Sequence, residues 1–462
     1  MMQRIGRVFQ FGAASAVLVF QFGAAIAVLG TALASCTPEV ILPGTRHPVR
    51  EPLQDSLATD QNPDPQPAAL PGNTSAAINL PRPVANADYP QHGGNAAHSG
   101  VSGALSAQPV LVWTVPVGTG NSRQNRVSAT PVVAGARVFT MDALARVDAV
   151  STAGAHLWSV DLTPAFDRDG AVSGGGLAAS ATQVIATTGY GEIIALDALT
   201  GGIQWRQRLD SPAAGAPTIA GNRAYVMGRD GTGWAISLAG GKVLWQVPGT
   251  VGVGGILGGA APATDGHSVV FPLPSGSLIA LTAAGDAVWT APLTGDRPGR
   301  AYTPLGDITG DPVISGGYVY AGTAAGRTSA IAMAGGQRLW EADEGALNAP
   351  LVVGGSVFVI SDENRLVRLN GGTGAAIWST PLPYYTQVKE KRRKAIYASY
   401  GPVLAGGHIA VASSDGLLRL FNATDGTLAA STEIPGGAAS APALAGGVLY
   451  LVSADGKLLA FR

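Results

Sequence analysis

Few side chains in this 462-residue sequence are placed to do chemistry. There is one thiol, Cys36, so an intrachain disulfide, an iron–sulfur cluster and a Cys-ligated zinc site are all excluded. The six histidines are dispersed, and His92 and His98 stand in a leading segment with no further ligand beside them, so no metal site is expected. The glycine-rich stretch Val251–Ala260 lacks GxGxxG, a following Lys-Ser/Thr and a helical pattern, which leaves a flexible contact loop and not a phosphate cradle. No Asp, Glu or Asn cluster has the spacing of a cation site. One dense charge run stands out: Lys389-Glu390-Lys391-Arg392-Arg393-Lys394, flanked by Tyr384, Tyr385, Tyr397 and Tyr400. Such a run is either a solvated loop or a contact for an acidic partner surface, lipid head groups or cell-wall polymer. These residues suggest neither a cofactor nor a catalytic centre.

The surroundings of Cys36 show what its thiol is for. Arg4 and Arg7 precede an apolar run, Val8–Leu33, that contains a duplication: VFQFGAASAVL from Val8 recurs as VFQFGAAIAVL from Val19. Basic start, apolar stretch and small residues ahead of a cleavage point mark a secretory signal, here residues 1–35. Leu33-Ala34-Ser35-Cys36 resembles the bacterial lipobox, which makes Cys36 the diacylated first residue of the mature chain. Thr37 follows it, not the Asp of an inner-membrane retention signal, so the outer membrane is the expected destination. Residues 36–99 then read as a tether. Eleven prolines fall between Thr37 and Pro90 with no apolar periodicity, and about fifty extended residues reach on the order of 150 Å.

The elements that follow are repeats. Charged residues make up 13% and the net charge is −1, which argues against nucleic acid as a partner. Seven tryptophans share one register: Trp113, Trp158, Trp205, Trp245, Trp289, Trp340 and Trp378, with Trp234 outside it. A small-Pro-apolar marker recurs at Pro131, Pro217, Pro262, Pro312, Pro350, Pro402 and Pro442, with Ala178 in the equivalent place. The next Trp lies 27 residues after Pro131, Ala178 and Pro262, and 28 after Pro217, Pro312 and Pro350. Counting on from Pro402 reaches Ala430, so the seventh unit has lost its Trp. The stretch from each Trp to the next marker varies, as blades with loops on one face require. Alternating apolar runs broken by Gly-Gly and Gly-Thr-Gly turns give four strands per unit of about 45 residues, a propeller blade. Residues 100–462 therefore predict an all-β, eight-bladed propeller of four-stranded antiparallel blades. The last unit holds three strands, and Pro109–Val115 is expected to supply its fourth and close the ring.

One unit identifies the type. Ala195-Leu-Asp-Ala-Leu-Thr200-Gly201-Gly-Ile-Gln-Trp205 matches the A-x-D-x-x-T-G-x-x-x-W docking motif of quinoprotein-like, or PQQ-repeat, propellers. Its tryptophans are structural, packing across to a neighbouring blade. The whole chain resembles the BamB family, propeller lipoproteins of the bacterial outer-membrane β-barrel assembly machinery. The likeness runs from the lipobox through Leu42-Pro-Gly-Thr-Arg46 to Tyr400–His408, Asp415-Gly416, Asp425-Gly426 and Ser453–Phe461.

The resemblance implies a non-catalytic scaffold, without cofactor or metal, lipid-anchored at the periplasmic face of the outer membrane. Its implied partners are the periplasmic domains of the barrel-forming subunit and nascent outer-membrane proteins. Loops between two adjacent blades make that contact in the family, and residues 246–261 and 290–311 correspond to them. Leu305 and Asp307 match the family's acidic loop, while Thr309 departs from its second carboxylate. Ile256 matches the partner-facing apolar residue, and Leu257 stands where a basic residue is expected, with Arg297 or Arg300 as the substitute. The alternative is a quinone-dependent periplasmic dehydrogenase or another ligand-binding propeller; the single Cys excludes the adjacent-cysteine disulfide common in such dehydrogenases.

Overall fold

The computed structural model describes residues 57–60, 63, 72–100, 102–168, 170–250, 252, 259–293 and 307–462. Within the compact unit Ala69–Arg462 the strands form eight four-stranded antiparallel sheets. Blades 1 to 7 span 132–161, 175–208, 218–247, 263–292, 313–342, 351–381 and 399–433. Blade 8 holds Ala443–Ala445, Val448–Val452 and Lys457–Phe461, and its outer strand is Leu111–Pro116 from the other end of the repeat region. This closing strand pairs antiparallel with the last, Trp113 opposite Ala460. The eight-bladed ring and its closure are thus as the repeats predict.

Burial follows position within the blade. In blade 2 the strands Gln183–Thr188 and Glu192–Asp197 are buried on both faces, while the outer strand Ile203–Arg208 alternates. Inner strands lie between two neighbouring blades and can be apolar throughout; only the outer strand meets water on one side.

The docking motif explains how the blades lock. On one face of blade 2, Trp205 of the outer strand lies opposite Ala195, which lies opposite Ile185. The same row reads Trp158–Ala149–Phe139 in blade 1, Trp245–Ala235–Tyr225 in blade 3 and Trp340–Ala330–Tyr320 in blade 5. The small middle residue lets the indole lie over the sheet against the aromatic beyond it, as in Phe139–Trp158 with ring centroids 5.8 Å apart. A bulge directly beside each row skips one outer-strand residue, for example Leu157 and Leu244, and turns it outward.

The other side of each indole rests on the next blade. Trp158 lies under Gly201, whose β-carbon, if it had one, would fall 2.7 Å from the ring. Gly201 also has φ +75°, a left-handed conformation that glycine adopts without strain. The same contact joins Trp113 to Gly154, Trp205 to Gly241, Trp245 to Gly285, Trp289 to Gly336, Trp340 to Gly374 and Trp378 to Gly426. Six of these indoles donate to a carbonyl of the next blade, from Trp158 to Ala198 (3.2 Å) around to Trp378 to Ala423 (3.1 Å).

The missing eighth tryptophan has a physical reason. Ala430 faces blade 8, whose third and fourth strands are joined by no turn, because one ends the chain and the other begins the ring. There is no turn glycine to receive an indole. Instead Thr432 donates to the Pro109 carbonyl at 2.7 Å, and Val110 and Arg462 exchange backbone hydrogen bonds. Trp378→Ala is expected to cost about 3–5 kcal/mol, whereas Ala430→Trp gains nothing; denaturant midpoints of the two variants check both.

Candidate functional site

Eight blades on a circle leave eight inner strand edges facing the axis with unpaired N–H and C=O groups. Residues 84–104 cover them. Tyr89 exchanges two hydrogen bonds with Val133 of blade 1, both 2.8 Å. Pro90 accepts from Ala179 of blade 2, and the Gln91 side chain bonds Ile219 of blade 3. Ala96 and Ala97 accept from Thr264 of blade 4 and Ile314 of blade 5 at 2.7 and 2.8 Å. Gly100 packs on Leu351 of blade 6, Gly103 bonds Leu404 and Gly406 of blade 7, and Asn86 bonds Leu444 and Gly446 of blade 8. The chain thus plugs its own pore. The boundary drawn at residue 100 separates the repeats from a segment that packs with them.

Two histidines lock the plug. His92 Nδ1 pairs with the Asp311 carboxylate, whose other oxygen accepts from the Ala261 amide at 2.8 Å. His98 is buried beside them, with Nδ1 3.1 Å from the Pro312 carbonyl and 3.7 Å from Asp311. Burial alone raises the Asp311 pKa, but the two imidazoles, the His92 hydrogen bond and the Ala261 amide outweigh it and hold the carboxyl down at about 2. Burial pulls His92 down, yet Asp311's charge and hydrogen bond leave it raised. His98 is lowered, first by burial and then by His92's charge, with Asp311 and the Pro312 carbonyl opposing. The group has the residue types of acid–base chemistry, but its members bond one another and the plug. Among the described residues no three His, Cys, Asp or Glu side chains are grouped to hold a metal ion.

A second staple secures the residues ahead of the plug. In blade 6 the middle of the tryptophan row is Arg368, not Ala. Its buried guanidinium reaches the carbonyls of Ala76 (2.6 Å), Ala77 (3.2 Å), Ala423 (3.1 Å) and Thr424 (3.2 Å), and Ser356 Oγ at 3.0 Å. Asn73 and Thr74 bond Ser379 and Ile377 along the outer edge of the same blade. The sequence signal for Arg368 is the arginine at the position where the motif requires alanine.

The expected partner-binding residues are distributed unevenly. Ile256, Leu257, Arg297, Arg300 and Leu305 lie outside the described residues, as does Cys36. Asp307 is described and is 8% exposed, turned inward at the foot of its loop four residues before Asp311. The basic run, by contrast, is fully displayed: Lys389, Lys391, Arg392, Arg393 and Lys394 are all exposed.

The family model described as outer membrane protein assembly factor BamB matches residues 143–380 and 386–462. The chain belongs to the BamB family. A BamB relative from Yersinia pestis is 24% identical over 332 residues, 71% of this chain and 81% of the relative. The BamB of Escherichia coli K12 is 25% identical over 358 residues, 76% and 86% of the two chains. Among solved structures, BamB from Moraxella catarrhalis has 21% identity and a TM-score of 0.63, covering 77% of this chain and 99% of that one. Quinohemoprotein alcohol dehydrogenase from Comamonas testosteroni reaches 0.62 at 15% identity, covering 82% and 81%. The two scores express a shared fold; the family match is what separates BamB from the dehydrogenases.

The Asp311 latch makes stability depend on pH in a defined way. A carboxyl held below its ordinary value near 4 contributes above that pH and loses its contribution as pH falls toward about 2. A histidine held above 6.5 contributes below that pH and loses its contribution as pH rises through the raised value. Asp311→Asn should therefore cost most between about pH 4 and 6.5, on the order of 2 kcal/mol, and least at either extreme, as read from denaturant midpoints across pH. Arg368→Ala should free residues 72–80 while the ring stays folded, seen as new protease cleavage there with an unchanged β-sheet spectrum.

Proposed function

We propose that this chain is a non-catalytic scaffold of outer-membrane β-barrel assembly, held by a lipid on Cys36 at the periplasmic face of the outer membrane. It binds the periplasmic domains of the barrel-forming subunit, and nascent outer-membrane proteins are its further clients. The observation that carries the reading is the BamB family match across most of the blades.

The geometry is consistent with a scaffold. A prosthetic group on the axis would have to displace residues 84–104, which hydrogen-bond the inner strands of seven blades. The chain's variable parts are the connectors from one blade to the next. Those between blades 3 and 4 and between blades 4 and 5 carry Ile256, Leu257, Arg297, Arg300, Leu305 and Asp307. Two neighbouring loops on a rigid ring can present apolar and charged groups to one partner surface with little ordering cost.

Purification from membranes tests this reading. The barrel-forming subunit should co-purify with the wild-type chain, and Arg300→Glu and Asp307→Arg should each weaken capture by about tenfold or more. The β-sheet spectrum of each variant verifies folding. Undiminished capture by both folded variants removes this pair of loops from the contact.

A further inference from the structure

The basic run forms a shaped element on the connector from blade 6 to blade 7. Tyr385 and Ile396 form an antiparallel bridge, Thr386 donates to Ala395 at 3.0 Å, and Tyr397 donates to Tyr384 at 2.7 Å. These bonds make a short hairpin finger. At its tip, Arg392 and Arg393 donate back to Lys389 and Glu390 in one tight turn. Its foot is tied to the ring: Leu382 donates to the Asn364 carbonyl, the Asn364 side chain to Pro383, and Ala398 to Ser414.

The finger's surface is amphipathic and unspent. It carries five cations and one carboxylate, a net of +4 in a chain whose total is −1. None of the ion pairs among the described residues involves Lys389, Lys391, Arg392 or Lys394. Arg393 lies over the Tyr385 ring, 4.9 Å from its centroid, and Tyr384 packs edge-on to Tyr385. Among these charges Val388 is 90% exposed and Ile396 55%. Cations around an aliphatic residue, with aromatic rings behind, suit the interface of an anionic bilayer, where the charges meet head groups and the apolar tip enters below them.

The path of the leading chain favours the same partner. Asn73 lies beside Ser379 and Thr74 beside Ile377, so this segment runs antiparallel to the outer strand Ala376–Pro381. Gly72 and Asn73, where the continuously described chain begins, therefore lie toward the Pro381 end, where the finger begins. The start of the continuously described chain and the finger thus share the Pro381 end of blade 6.

We propose that the finger 383–398 is a second membrane contact, binding anionic phospholipid head groups through Lys389, Lys391, Arg392, Arg393 and Lys394 with Val388 inserted between them. The proposal builds on Cys36 as the lipid anchor. A basic patch beside a lipid anchor adds an electrostatic attraction that holds this face of the ring against the head groups. Each Lys or Arg near an anionic surface is worth about a fivefold gain in partitioning.

The test uses the mature full-length chain with Val388→Cys carrying an environment-sensitive dye, and the unsubstituted chain treated identically as a blank. Vesicles are phosphatidylcholine with or without phosphatidylglycerol. The expected result is a blue shift and shielding from aqueous quencher only when phosphatidylglycerol is present, abolished by high salt. Reversing Lys389, Lys391, Arg392 and Lys394 to Glu should lower partitioning on the order of 100-fold or more. A dye that stays in water on phosphatidylglycerol vesicles overturns the proposal. So does a response equal on both vesicle types, or a shift produced by polyglutamate and not by lipid, which assigns the finger to an acidic protein. Failure of the anchor reading is separately visible: dye incorporated into the blank reports a free Cys36 thiol, while the difference between labelled chain and blank still reads the finger.

Discussion

Each blade must stand at the same angle to its neighbours for eight of them to close a circle, and one contact sets that angle. An indole is held between an aromatic or aliphatic side chain of its own blade and a glycine of the next, as Trp158 is between Phe139 and Gly201. Three local features serve this contact: the alanine beneath the ring, the bulge that brings the Trp into register with it, and the positive φ of the receiving glycine. Because the contact tolerates no change in spacing, variation is confined to the connectors between blades. The long connector that carries the basic finger lies there for that reason.

A ring that solves its outer contacts still has its inner edges to satisfy. Unpaired strand edges are costly when buried and hazardous when open. Residues 84–104 meet the problem largely with backbone groups, the His92–Asp311 pair holds that irregular segment in place, and Arg368 fixes Ala76 and Ala77 ahead of it.

The ring was legible in the sequence because its determinants repeat. Trp, Gly and the small-Pro-apolar marker recur at 27 or 28 residues, and even the vacancy at Ala430 falls where the count predicts. The plug was not legible, since its bonds are made by backbone atoms of Pro90, Ala96, Ala97 and Gly103 to residues as distant as Gly406. Backbone pairing of that kind leaves no periodicity, and proline-rich composition suggested an open tether throughout. Asp311 carries no local sequence signal, because its partners are histidines more than two hundred positions earlier. Arg368 carried a readable sign, an arginine in an alanine slot.

The closing strand Leu111–Pro116 and the plug have a consequence for biogenesis. Both precede every blade in the sequence, yet the strand's partner Lys457–Phe461 follows all the other strands. The closing strand therefore cannot be placed until its partner has formed, and contacts this far apart in sequence form slowly. The blades stand as an open arc until that pair of strands meets, and closing the ring is the last step.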